Sequence, residues 1–265
     1  MMNYNHPFYL ITPSPWPLMC AINLMNLMLM TINFIYSLMN NMYMFIYLLC
    51  FMNLILSSIQ WWRDIIREST YQGNHTNLIL KMLKFSMMLF IISELFFFIS
   101  FFWTYFHSAI SPSMEIGLKW PPFNINIFNP YDIPLLNSII LISSGFTITL
   151  AHHALLNMKM NIFKYNLFIT IILGLYFSMF QYIEYKESSF TINDSIYGSI
   201  FFMATGFHGL HVMIGILMFI SCIMRLMLNH FSNIHHFNFE AALWYWHFVD
   251  VVWLFLYCFF YWWIF

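Results

Sequence analysis

PFYLITPSPWPLMCAINLMNLMLMTINFIYSLMNNMYMFIYLLCFMNLILSSIQWW, the stretch from Pro7 to Trp62, contains no Asp, Glu, Lys or Arg. An unbroken helix of that length would run to about 80 Å at 1.5 Å per residue, against a bilayer hydrocarbon core of about 30 Å. The stretch must therefore fold back as a hairpin. The polar pair Asn40-Asn41 predicts the turn, leaving one span near 17–38 and another near 42–60. Pro13, Pro15 and Pro17 keep a helix from starting earlier.

Further apolar runs follow at 85–107, 135–156, 165–183, 196–224 and 241–263, which makes seven spans of an all-α integral membrane protein. Composition agrees: 62% of the 265 residues are hydrophobic and 7% are charged, where a soluble domain carries roughly 25% charged residues. Short connections leave no room for a second, soluble domain. The exception is 108–134, whose prolines, Pro112, Pro121, Pro122, Pro130 and Pro134, predict an extended surface path. A net charge of −1 offers no basic field for nucleic acid. No Lys or Arg precedes Arg63, so the N-terminus lacks the pattern of a secretory or transit peptide, and insertion without cleavage is expected. The four cysteines, at 20, 50, 222 and 258, form no C-x-x-C pair and are expected to be buried free thiols. The bias to Ile, Phe, Met, Asn and Tyr suits an AT-rich organellar gene.

Basic residues fall unevenly on alternate sides of seven spans. One side holds Arg63, Arg67, Lys81, Lys84, Lys159, Lys164 and Arg225; the loops of the other hold Lys119 and Lys186, together with Glu115, Asp132, Glu184, Glu187 and Asp194. The positive-inside rule then places the N-terminus inside and the C-terminus outside.

Few residues can carry chemistry. Glu94 lies in mid-span with no basic residue within four positions, and desolvation among Phe90, Phe97 and Phe98 favours its neutral acid. An intramembrane carboxyl is a functional candidate, and a hydrogen bond to a neighbouring helix is its structural alternative. His208 and His211 share a helix face, a spacing that can supply two metal ligands. Neither has a carboxylate at i±3 or i±4, so interhelix hydrogen bonding is expected, helped by close approach at Gly206 and Gly209. His247 and Asp250 are spaced to pair as structural glue. His152-His153 and His235-His236 lie near span ends, and neither adjacent pair forms a chelate alone. Arg63, Asp64, Arg67 and Glu68, beside Trp61 and Trp62, read equally as an interfacial anchor and as a phospholipid head-group site.

Several stretches together resemble subunit III of the mitochondrial haem-copper cytochrome c oxidase. They are Pro13-Ser-Pro-Trp-Pro-Leu18, the run Trp61 to Thr70 (WWRDIIREST), Trp120-Pro-Pro122, Ala151-His-His153, Tyr197-Gly-Ser199, Thr205 to Val212 (TGFHGLHV) and Trp244 to Tyr257 (WYWHFVDVVWLFLY). The resemblance implies a two-helix unit, 1–70, and a five-helix bundle, 71–265, separated by a V-shaped lipid cleft. It implies a noncatalytic core subunit of a respiratory-chain complex that reduces oxygen to water with electrons from cytochrome c and pumps protons. The chain would lie in the mitochondrial inner membrane, N-terminus in the matrix and C-terminus in the intermembrane space. Haem and copper would belong to partner subunits. This chain would stabilise the catalytic subunit I, support proton uptake and bind phospholipids through Trp62, Arg67, Glu68, His75, Arg225 and His230, while Glu94 matches the family's buried carboxylate. Met82 and Ser86 stand where glycines are usual, Lys84 where an Arg is usual, and Ile264-Phe265 where the family ends in a small residue. Lys keeps the charge but loses the bidentate phosphate contact.

The residues agree in offering no complete haem or copper ligand set, so no redox centre and no metal are expected here. Two other readings stand beside this one. One is a self-contained metal oxidase using His208, His211 and His152 or His153. The other is a proton channel or transporter around Glu94, for which internal repeats are lacking.

Overall fold

The computed structural model describes residues 9, 11–36, 41–123 and 125–265. Among the described residues, seven helices are long and apolar enough to cross a membrane: α1 Trp16–Tyr36, α2 Asn41–Thr70, α3 Asn77–Ile110, α4 Ile133–Leu156, α5 Met160–Glu187, α6 Ile196–Met227 and α7, Phe237–Leu256 continued by a π-helical turn, Tyr257–Trp262. No strand occurs among the described residues. Asn41 opens α2, while Asn40, the other half of the expected turn, lies outside the described residues.

The helices overrun their apolar cores. α2 passes the expected end at residue 60 and carries Arg63, Asp64, Arg67 and Glu68 on its last turns. α5 extends to Glu187 and takes in Glu184. Intrahelical hydrogen bonds do not end where hydrophobicity does; a helix stops at a conformational breaker or cap, here the turn at Gly73 with φ 66° after α2. Pro134, expected in the loop, sits in the first turn of α4, where its missing N–H costs nothing. Among the described residues between α3 and α4, the one helical turn is a short 3₁₀ turn, Met114–Ile116, closed by Gly117 at φ 83°.

Contacts divide the chain into two compact units, Met1–Leu83 and Lys84–Phe265. In the first unit, α1 and α2 are joined by polar side chains. Trp16 Nε1 donates to Asp64 Oδ2 at 2.6 Å, Asn23 Nδ2 donates to the Asn53 carbonyl and to Ser57 Oγ, and the Cys20 thiol donates to Ser57 Oγ at 3.4 Å. Between apolar helices in lipid, such bonds and close packing replace the hydrophobic drive.

In the second unit α4, α5, α6 and α7 pack around two fully buried indoles, Trp246 and Trp253. Each N–H finds a serine on α4: Trp246 donates to Ser144 Oγ at 2.9 Å and Trp253 to Ser138 Oγ at 3.0 Å. Room for Trp246 comes from glycines. A Cβ at Gly174 would lie 2.8 Å from its ring, and one at Gly215 2.7 Å. Close approach was expected at Gly206 and Gly209, but a Cβ on Gly209 meets nothing within 4 Å and one on Gly206 meets only the Tyr185 hydroxyl at 3.8 Å. The small residues that admit neighbours point at large side chains, a fact of the folded face that spacing alone does not carry. α3 joins the unit through bulk instead, burying Phe98 and Tyr105, whose hydroxyl donates to the Phe259 carbonyl at 2.7 Å.

Candidate intramembrane site and family membership

Glu94 on α3 meets His211 on α6, with Oε2 2.9 Å from Nε2. The other imidazole nitrogen, Nδ1, is 2.6 Å from the Phe207 carbonyl. A carbonyl only accepts, so Nδ1 carries a proton. Nε2 and the carboxyl then share one proton between them: either the acid donates to a neutral imidazole, or an imidazolium donates to a carboxylate. Both forms are net neutral, which is what a membrane interior tolerates. Phe98 and Phe97 border the imidazole, with ring centroids 5.1 and 6.4 Å away. The Glu94 side chain keeps 25% of its surface exposed on this chain, so the site opens on one side.

His208, expected to bond to a neighbouring helix, lies one turn from His211 on α6. His208 is 1% exposed, and its Nε2 donates to the Val249 carbonyl of α7 at 3.1 Å. His247 and Asp250 pair at 3.8 Å. Gly145 of α4 makes that pair possible, since a Cβ there would lie 3.0 Å from the Asp250 carboxylate.

At the end of α2, Arg63 holds Asp64 at 3.0 Å and Arg67 reaches it at 3.9 Å. Trp62 is exposed. Glu68 is buried and accepts from the Tyr9 hydroxyl at 2.8 Å and from the Thr12 hydroxyl. Burial and the Glu68 charge push the Tyr9 hydroxyl up to about 12. His75 packs edge-on against the Tyr9 ring at 5.5 Å. In the second unit, Arg225 is 8% exposed and lies over the Phe231 ring at 5.1 Å, with its buried Nε lacking a hydrogen-bond partner among the described residues. His230, drawn below the usual imidazole range by burial and by Arg225, donates its backbone N–H to the Arg225 carbonyl.

The cysteines are free, but only Cys222 is buried; Cys20 and Cys50 are half-buried and Cys258 is exposed on this chain. Two groupings escaped the sequence. Glu184, read as a loop residue, is 1% exposed beside Tyr261, and only the overrun of α5 could have signalled it. His152, His236 and Glu240 converge on one point, with their ligand atoms within 4.8 Å of one another. The His236/Glu240 spacing of four was its only trace in the sequence.

The family model described as "Cytochrome c oxidase subunit III" matches residues 6–265. The chain belongs to that family. Among curated relatives, cytochrome c oxidase subunit 3 of Locusta migratoria is 51% identical over 98% of both chains. The subunit 3 of Ornithorhynchus anatinus is 53% identical over 99% of both, and that of Drosophila melanogaster 52% identical over 98% of this chain and 97% of its own. Membership makes the chain a multi-pass membrane subunit of cytochrome c oxidase and places the Glu94–His211 pair inside an oxidase complex.

Proposed function

We propose that this chain is a noncatalytic support of the oxidase: it stabilises the catalytic subunit I, sustains proton uptake and binds phospholipids, while haem and copper reside in partner subunits. One observation carries the reading. The most apolar stretch of α7 is 50% buried within the chain, whereas those of α1, α2 and α3 are 0%, 6% and 6% buried. Apolar helices with so little intrachain cover present their faces to lipid or to neighbouring subunits. Phospholipid contacts are assigned to Trp62, Arg67, Glu68 and His75 of the two-helix unit, 1–70, and to Arg225 and His230 of the five-helix bundle, 71–265. The Arg67 and Arg225 guanidinium groups supply the phosphate donors. Glu68 ties Tyr9 and Thr12 to the same end of α2. The basic excess on one side supports an N-terminus inside and a C-terminus outside, which for the mitochondrial inner membrane means matrix and intermembrane space. Glu94, with its single shared proton, is the residue through which the chain would influence proton movement.

Proteoliposomes of the oxidase with and without this chain test the proposal. The expected result is that electron transfer from cytochrome c persists at first without it, while proton uptake slows and the remaining complex loses activity sooner. Unchanged proton uptake and lifetime would overturn the supporting role.

A further inference from the structure

We propose that His152, His236 and Glu240 form a redox-inert divalent-metal site of the two-histidine, one-carboxylate kind that suits Zn²⁺, with Lys84 competing for the carboxylate. His152 lies in the last turns of α4, His236 caps the start of α7, and Glu240 follows one turn later. The ligand atoms of all three fall within 4.8 Å of one another.

The hydrogen bonds around His236 carry the argument. Its Nδ1 lies 3.0 Å from the Ser232 carbonyl, so Nδ1 holds a proton and donates it. In the neutral ring Nε2 is then a bare lone pair. It points at Glu240 Oε1, 3.4 Å away, without making a hydrogen bond. His152 Nε2 is likewise buried and has no hydrogen-bond partner among the described residues, and its ring centroid is 5.7 Å from that of His236. Lone pairs facing one another in a desolvated pocket repel unless a cation stands between them. A backbone carbonyl holding Nδ1–H so that Nε2 faces inward is the usual second partner of a metal-bound histidine. Zn²⁺ with ligands at about 2.0–2.2 Å brings tetrahedral donor atoms to about 3.3 Å of one another, so the cluster closes on a metal by about 1.5 Å or less of side-chain movement. Three protein ligands leave a fourth position for water.

Lys84 stands against the metal. Its ammonium lies 2.5 Å from Glu240 Oε2, and its side chain is 41% exposed, so it can withdraw to solvent when a metal takes the carboxylate. Removing that ammonium should tighten metal binding, an effect that misfolding cannot imitate.

The test uses the purified oxidase containing this chain, stripped with chelator and titrated with ZnCl₂ against a competing indicator. The complex carrying Lys84→Gln should bind one zinc equivalent several-fold more tightly than the wild type, with imidazole scattering at that zinc by X-ray absorption. The complex carrying His152→Gln should lose that equivalent. Equal zinc stoichiometry with and without His152 would overturn the proposal, as would unchanged or weaker binding after Lys84→Gln; in that case a proton, not a metal, lies between His236 and Glu240. If His152→Gln prevents assembly, the Lys84→Gln titration decides alone.

Discussion

Gly215→Ala should damage the second unit through one indole. The new methyl would lie 2.7 Å from Trp246, where ordinary contact begins at 3.4 Å, so the ring or the helix must give by about 0.7 Å. Trp246 is fully buried and cannot tilt freely, because its N–H donates to Ser144 at 2.9 Å; a shift of that size takes the bond beyond hydrogen-bond range. Overpacking costs about 1–3 kcal/mol and the lost bond about 1 kcal/mol, so the substitution should cost about 2–4 kcal/mol. Gly174→Ala presses on the same ring from α5 and should cost a similar amount. Because both strain one side chain, their effects should not add; shared partners couple by about 0.5–3 kcal/mol. Replacing Trp246 by Phe removes the second ring and should relieve either alanine. Gly209→Ala is the control: its methyl meets nothing within 4 Å, so helix propensity alone should make it neutral or stabilising by up to about 1 kcal/mol. Thermal midpoints of the oxidase in nanodiscs, followed by release of this chain, measure all four. Gly215→Ala as harmless as Gly209→Ala would refute the account of Trp246 as a wedge held in a glycine slot.

Three further outcomes are expected. Glu94→Gln should cost less than about 1 kcal/mol, because its amide N–H can donate to His211 Nε2 and keep the helices joined, whereas Glu94→Ala should cost about 1–3 kcal/mol by leaving Nε2 unpaired. A hydrophobic carbodiimide should label Glu94, and a Gln variant as damaging as the Ala would refute the neutral pair. Arg67→Gln and Arg225→Gln should each reduce the phospholipid phosphorus copurifying with the oxidase; unchanged phosphorus would make both residues anchors without lipid. Tyr9 favours its protonated form in the folded chain, so its bond to Glu68 is fully present below pH 10 and lost as pH rises through about 12. A wild-type minus Tyr9→Phe absorbance titration should therefore have its midpoint near 12, and a midpoint near 10 would refute the tether.

The seven spans were legible because bilayer thickness imposes a length on every crossing, and a charge-free stretch as long as Pro7–Trp62 has one way to satisfy it. The pairing of His247 with Asp250 was legible too, since both lie on one helix and helical periodicity fixes their separation. Glu94 was visible as a charge out of place, but not His211 as its partner: they stand 117 residues apart, on helices whose relative rotation no local pattern records. No local pattern marks Asn23 and Ser57, whose hydrogen bond ties α1 to α2. Helix ends were the least legible. α2 and α5 both outran their hydrophobic runs, so Glu184 was read as a loop residue although it is buried.

Metal and haem inventories of the oxidase before and after removal of this chain test the central claim most directly. Haem and copper per catalytic subunit should be unchanged, with any metal lost being zinc alone; loss of stoichiometric haem, iron or copper with this chain would contradict a noncatalytic, supporting subunit.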